Sequence, residues 1–132
     1  MHRLKTRVQF QAVMAGQTVS RTAHFALHRS ALDATGPGSE GPQALFVVHG
    51  APQGWIGAVV PKRWARRAVT RNAIKRQIYN VAEDIALELP VAAHVVRLRT
   101  AFDRARFPSA TSEALKRAVR AELQQLFARA TA

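Results

Sequence analysis

The chain has 132 residues, with 20 Lys and Arg against 8 Asp and Glu, a formal net charge of +12 and no cysteine. That length supports one hydrophobic core, the lack of cysteine excludes a disulfide framework and a thiolate metal site, and the charge excess points to a polyanionic partner. No run approaches the roughly 18 apolar residues of a membrane span, and cysteine-free composition suits a reducing cytoplasm.

The first predicted element is a short helix over 7–15, where Thr6 and Gln9 have capping-box spacing and Gly16 is placed for a left-handed C-terminal cap. Residues 1–32 carry five basic and no acidic residues, a composition shared with mitochondrial presequences, but the capped helix gives the segment a structural reading. Over 23–29, Ala23, Phe25 and Leu27 alternate with His24, Ala26 and His28, which predicts a strand with Phe25 and Leu27 in the core. The Gly-, Pro- and Ser-rich stretch 30–43 reads as a surface loop. Apolar runs at 44–49 and 55–60 flank Gly50-Ala51-Pro52-Gln53-Gly54 and predict an antiparallel hairpin.

Pro61 ends that strand. Beyond Ala68 no Pro or Gly occurs until Pro90, and Ile74, Ile78, Val81, Ile85 and Leu89 form a buried stripe at helical spacing. A fourth strand over 92–98 follows, then a helix over 112–130 with Leu115, Val119, Leu123 and Leu126 or Phe127 on one face. The order α-β-β-β-α-β-α describes an α/β (α+β) two-layer sandwich, with about four strands and three helices in a single domain over 1–132.

The segment 62–76 is the most informative. It contains Lys62, Arg63, Arg66, Arg67, Arg71, Lys75 and Arg76, and no acid occurs between Glu40 and Glu83. Arg63, Arg67, Arg71 and Lys75 are four residues apart, so on a helix they would form a row of like charges costing about 0.2–0.5 kcal/mol per pair. Solvated faces normally interleave acids with such a row; an acid-free one suits phosphate, whose neutralisation releases counterions. Arginine predominates, as planar multi-donor contacts to phosphate favour, and Asn72 adds an amide suited to a sugar or base edge. No catalytic residues are predicted. There is no cysteine nucleophile, no metal-ligand spacing and no Gly-rich phosphate loop, and the five histidines are scattered.

Lys62-Arg63, Arg66-Arg67-Ala68-Val69 and Arg71-Asn72-Ala73-Ile74-Lys75-Arg76 together resemble the signature of the protein subunit of bacterial ribonuclease P. Arg3-Leu4, Phe10 with Met14, Phe25-Ala26-Leu27-His28, Gly57 and Arg99 extend that resemblance along the chain. It implies a left-handed crossover from the third strand to the fourth through the basic helix, against the usual right-handed rule. It also implies that chemistry is carried by a catalytic RNA with Mg2+ bound mainly to that RNA, the protein alone being inactive. By resemblance, Lys62, Arg63, Arg66, Arg67, Arg71, Asn72, Lys75 and Arg76 contact the ribonuclease P RNA. Phe10, Met14, His28 and Arg99 line or border a cleft for the single-stranded 5′ leader of precursor tRNA. The protein is then a cytoplasmic monomer with one copy per RNA, binding neither a metal nor a membrane.

The motif departs from the family at Ala73, where the core reads Arg-Asn-Arg, and at Tyr79 and Asn80, where Arg and Glu are usual. Met14 stands where an aromatic is usual and His28 where Tyr is frequent. The alternative is a ribosomal or ribosome-assembly RNA-binding protein, which would share the charge but not the Arg-Asn-x-x-Lys-Arg pattern. A DNA-binding regulator lacks its helix-turn-helix here, and a self-sufficient nuclease lacks its carboxylate cluster.

Overall fold

The computed structural model describes residues 1–32, 46, 53–103 and 112–131. Its elements are β1 (His2–Arg3), α1 (Arg7–Met14), β2 (Gln17–Arg21), β3 (Phe25–Ser30), β4 (Trp55–Val59), α2 (Ala68–Asp84), a 3-10 turn at Ala86–Glu88, β5 (Ala93–Leu98) and α3 (Glu113–Thr131). β3 and β5 are buried on both faces over most of their length, as internal strands covered from two sides must be. The sheet order is β1-β4-β5-β3-β2, so β5 is central. β3 is antiparallel to β2 and β5, whereas β4 is parallel to β5 and to β1. The parallel β4–β5 pair is joined through α2, the connection expected for the basic helix.

Strand alternation divides the apolar residues into two cores. Phe25, Leu27, Ile56, Ala58, Val96 and Leu98 face α2 and α3, meeting Ile74, Ile78, Val81, Leu115, Val119, Leu123, Leu126 and Phe127. On the other face Trp55, Ala93 and Val95 pack with Leu4, Val13 and Phe46 beneath α1. The α+β sandwich is thus the sheet with α2 and α3, and α1 covers part of the opposite face.

The capping box at α1 forms as expected: Gln9 N–H donates to Thr6 Oγ1 at 3.2 Å and Thr6 N–H to Gln9 Oε1 at 3.1 Å. Gly16 is not left-handed. A side chain there would put its Cβ 2.6 Å from the Arg29 carbonyl oxygen, so the glycine serves a close approach to β3. The segment of presequence-like composition supplies β1, α1, β2 and β3, all built into the sheet or its cover.

Among the described residues the sheet has five strands rather than four. Sequence reading passed over β1, which is two residues long, and β2, whose Gln-Thr-Val-Ser-Arg sequence carries a register shift between Thr18 and Ser20 that breaks alternation. At Trp55 and Ile56 both edges of β4 are taken, by β1 and β5, so the expected antiparallel hairpin is not formed there. Residues 44–45 and 47–52, and all but the start of the 30–43 loop, lie outside the described residues; Phe46 packs edge-on to Trp55 at 5.6 Å. α2 stops at Asp84, short of the stripe's end. Glu83 and Asp84 oppose the negative helix terminus, and Leu89 reaches the core from beyond the 3-10 turn.

Candidate nucleic-acid interface

The basic segment is two structures. Lys62, Arg63, Arg66 and Arg67 precede α2 in a tight turn in which Trp64 and Ala65 N–H both donate to the Pro61 carbonyl at 3.1 Å. Burial of Ala65 and partial burial of Trp64 pin the turn to the core and turn the four cations outward. The Arg63 guanidinium lies 5.3 Å from the Trp64 ring centre, an orienting cation–π contact. The expected four-residue row therefore begins at Arg67, the N-cap residue, and Arg63 is not part of the helix.

Arg67 makes no side-chain cap, and the first turn of α2 has no acid. The positive end of the helix dipole and the surrounding arginines reinforce one another, a combination that an anion would relieve. Within α2, Asn72 and Arg76 are exposed and Lys75 is half-buried. Arg71 is not free: its Nη1 donates to the carbonyls of Ala65 at 3.1 Å and Arg66 at 2.8 Å, fastening the turn to the helix. A further cation joins from a distance, as Arg3 on β1 places its guanidinium 4.1 Å from the Tyr79 ring centre. Asn72, Arg76 and Tyr79 follow i, i+4, i+7 spacing, so this cation continues their stripe. Only the Arg-Leu resemblance near the start hinted at Arg3.

The second surface lies on the sheet face that α1 covers in part. Register places Thr18, His28, Val95 and Gly57 in one row across four strands and Arg21, Ala26, Arg97 and Val59 in the next. Phe10 and Met14, one helical turn apart on α1, are half-buried beside these rows. The Phe10 ring sits against the Gly57 backbone, where an added Cβ would come within 2.5 Å of Phe10 Cε1. His28 is buried, and both ring nitrogens are engaged: Arg97 Nε donates to His28 Nε2 at 3.3 Å, and Nδ1 lies 3.2 Å from Thr18 Oγ1. An accepting Nε2 requires the proton on Nδ1, so the ring is neutral and donates to Thr18. Burial, followed by the charges of Arg97 and Arg21, holds its pKa below the usual imidazole value.

Arg99 lies just beyond β5. Its N–H donates to the His24 carbonyl at 2.8 Å and its Nε to the Thr22 carbonyl at 2.9 Å. Glu122 on α3 holds the same corner, accepting from Thr22 Oγ1 at 2.7 Å and His24 N–H at 2.8 Å. Of the expected cleft residues, Phe10, Met14 and His28 thus share the sheet face and Arg99 borders it. Arg21, Arg97 and Thr18 were missed, although a charge inside the otherwise apolar run 92–98 was a visible signal for Arg97. Among the described residues, no group of three His, Asp or Glu side chains could hold a metal ion, and no helix is long and apolar enough to cross a membrane.

A family model described as Ribonuclease P matches residues 1–130. A ribonuclease P protein component of Bordetella petrii is 35% identical over 127 residues, covering 96% of this chain and 89% of that protein. One from Burkholderia mallei is 37% identical over 90 residues, 66% of each chain. The structure of the Staphylococcus aureus RNase P protein superposes with a TM-score of 0.67 at 16% identity, over 97% of this chain and 94% of that one. The last likeness concerns the fold alone, but the family match and the Bordetella relative span nearly the whole sequence. The chain therefore belongs to the ribonuclease P family, as a protein component of this tRNA-processing ribonucleoprotein.

Proposed function

We propose that this protein binds the catalytic RNA of ribonuclease P through the turn at 61–67 and the first half of α2, and receives the 5′ leader of precursor tRNA on the sheet face beside α1. The observation that carries this reading is the outward display of Lys62, Arg63, Arg66 and Arg67 at an uncapped, acid-free helix N-terminus. Each phosphate neutralised there releases counterions, which makes the contact strong and salt-dependent. Phe10 and Met14 supply apolar surface for unstacked bases, and the basic groups of the sheet face hold the backbone, the combination by which single strands are bound. Mg2+ is held mainly by the RNA, which carries the hydrolysis. The protein screens phosphate repulsion between catalyst and substrate, acts as one copy per RNA and works in the cytoplasm.

The test is reconstitution with a bacterial ribonuclease P RNA at a Mg2+ concentration too low for the RNA alone. Cleavage of precursor tRNA to the mature 5′ end should be restored, and protein stripped of RNA should cleave nothing. Cleavage by the stripped protein would overturn the assignment of chemistry to the RNA.

A further inference from the structure

Arg97 sits in the middle of the sheet, half-buried, with no acidic partner among the described residues. Its one hydrogen bond there is from Nε to the neutral ring of His28, and neither terminal nitrogen is among the buried unpartnered atoms. A half-buried cation without a counter-ion is costly unless something anionic completes it. A guanidinium fixed at Nε and open at its terminal nitrogens is in the form that grips a phosphodiester through two donors.

Three adjacent strands cooperate to fix it. Thr18 on β2 accepts from His28 Nδ1, which sets the tautomer, and His28 on β3 then offers Nε2 to Arg97 on β5. A ring with both nitrogens spent cannot also read a base edge. Arg21 occupies the same row as Arg97 with β3 between them, about 10 Å away from strand to strand. Two cations thus bracket the small Ala26, and the Phe10 ring lies beside the neighbouring row over Gly57.

We propose that Arg97 binds a leader phosphodiester directly, and that His28 and Thr18 are positioning residues that aim its guanidinium. This rests on the reading of the sheet face as the leader site and deepens it: His28 acts through Arg97 instead of touching the base.

The experiment uses the holoenzyme reconstituted with a bacterial ribonuclease P RNA. Binding of precursor and mature tRNA is measured across salt concentrations, with neutral methylphosphonate linkages placed singly along the leader. Arg97→Ala should weaken precursor binding about tenfold, as for one charge-assisted contact, and leave mature tRNA binding unchanged. The log-affinity against log-salt slope should fall by about 0.7, the single-strand value per phosphate. One methylphosphonate position should reproduce the loss in the wild type and cost nothing further in Arg97→Ala.

His28→Phe and the milder Thr18→Val keep every charge, so they should weaken precursor binding with the salt slope unchanged. Arg97→Lys keeps the charge but loses the planar donor to His28, so adding His28→Phe to it should cost no more. Unchanged mature-tRNA binding by each variant shows that it has folded. A leader preference undiminished in Arg97→Ala, or additive losses for Arg97→Lys and His28→Phe, would overturn this assignment alone. Absence of any leader preference in the wild type would overturn the leader-site reading and this proposal with it.

Discussion

At Gly57 the Phe10 side chain of α1 reaches down to β4, and the space the glycine leaves is filled by Phe10 Cε1 at 2.5 Å and Leu4 Cδ1 at 2.8 Å from a hypothetical Cβ. Gly57→Ala should therefore push the Phe10 ring away, costing about 1–3 kcal/mol of stability in urea denaturation. It should also reduce the preference for precursor over mature tRNA. Unchanged stability and preference would show that Phe10 has room elsewhere and does not depend on this glycine. Arg71 and Lys75, both placed in one row of like charges by spacing, separate at the same scale. Arg71→Ala removes two charge-assisted bonds to carbonyls and should cost about 1–2 kcal/mol, discounted for partial exposure. Lys75→Ala should leave stability nearly unchanged. Equal urea midpoints for the two variants would mean that Arg71 does not fasten the turn. Residue type and position were legible here because charge patterning is local, but the carbonyls that Arg71 engages exist only once the turn has formed.

At the scale of elements, the binding role proposed for the N-terminus of α2 sets binding against folding. Arg66 and Arg67 lie at the positive end of the helix dipole with no acid in the first turn. Replacing both with Gln should stabilise the free protein by a few tenths of a kcal/mol to about 1 kcal/mol. The same change should weaken binding to the catalytic RNA, with a salt slope shallower by up to about 1 to 2 units. Asn72→Ala should lower affinity with the slope intact, because an amide releases no counterion. An unchanged slope for the double variant would reduce these arginines to a solvated surface. The other helices were readable because each announces itself locally: α1 by the Thr6 and Gln9 capping box, α3 by Leu115, Val119, Leu123, Leu126 and Phe127 at helical spacing. β2 was not, since its bulge disrupts the two-residue period on which strand reading relies.

For the whole molecule, a net charge of +12 sets long-range attraction to RNA and makes the free protein self-repelling. Acid adds to that strain at one buried point. His94 is fully buried, takes a hydrogen bond from Arg29 Nε at Nδ1 at 3.2 Å, and so donates from Nε2 to the Pro90 carbonyl at 3.1 Å. Burial, then the Arg29 charge, push its pKa down from 6.5 to about 4, against the opposing pull of the Pro90 carbonyl. The folded pKa lies below the unfolded one, so the unfolded chain takes up the proton first. This contribution to stability is complete above the unfolded value and is lost as pH falls through the window between the two. The loss is at most on the order of 3 kcal/mol. An NMR titration should find the His94 ring still neutral at about pH 5, and a midpoint near the ordinary value would refute this.

The sequence by itself determined what depends on neighbours along the chain. The capping box, the apolar stripe of α3 and the apolar alternation at Phe25 and Leu27 are local patterns found where their spacing placed them, whereas the stripe of α2 is helical only as far as Val81 and the basic run only from Ala68 onward. Tertiary structure alone decided which side chains share a surface. Arg97, His28 and Thr18 come from three strands and meet only through sheet register, Arg3 reaches Tyr79 only because β1 adds to the edge of β4, and Gly57 matters only because the Phe10 and Leu4 side chains pack onto it. Register and strand order are set by contacts between residues far apart in sequence, whose cost in chain entropy is recovered only in the assembled core, so no local window of sequence displays them.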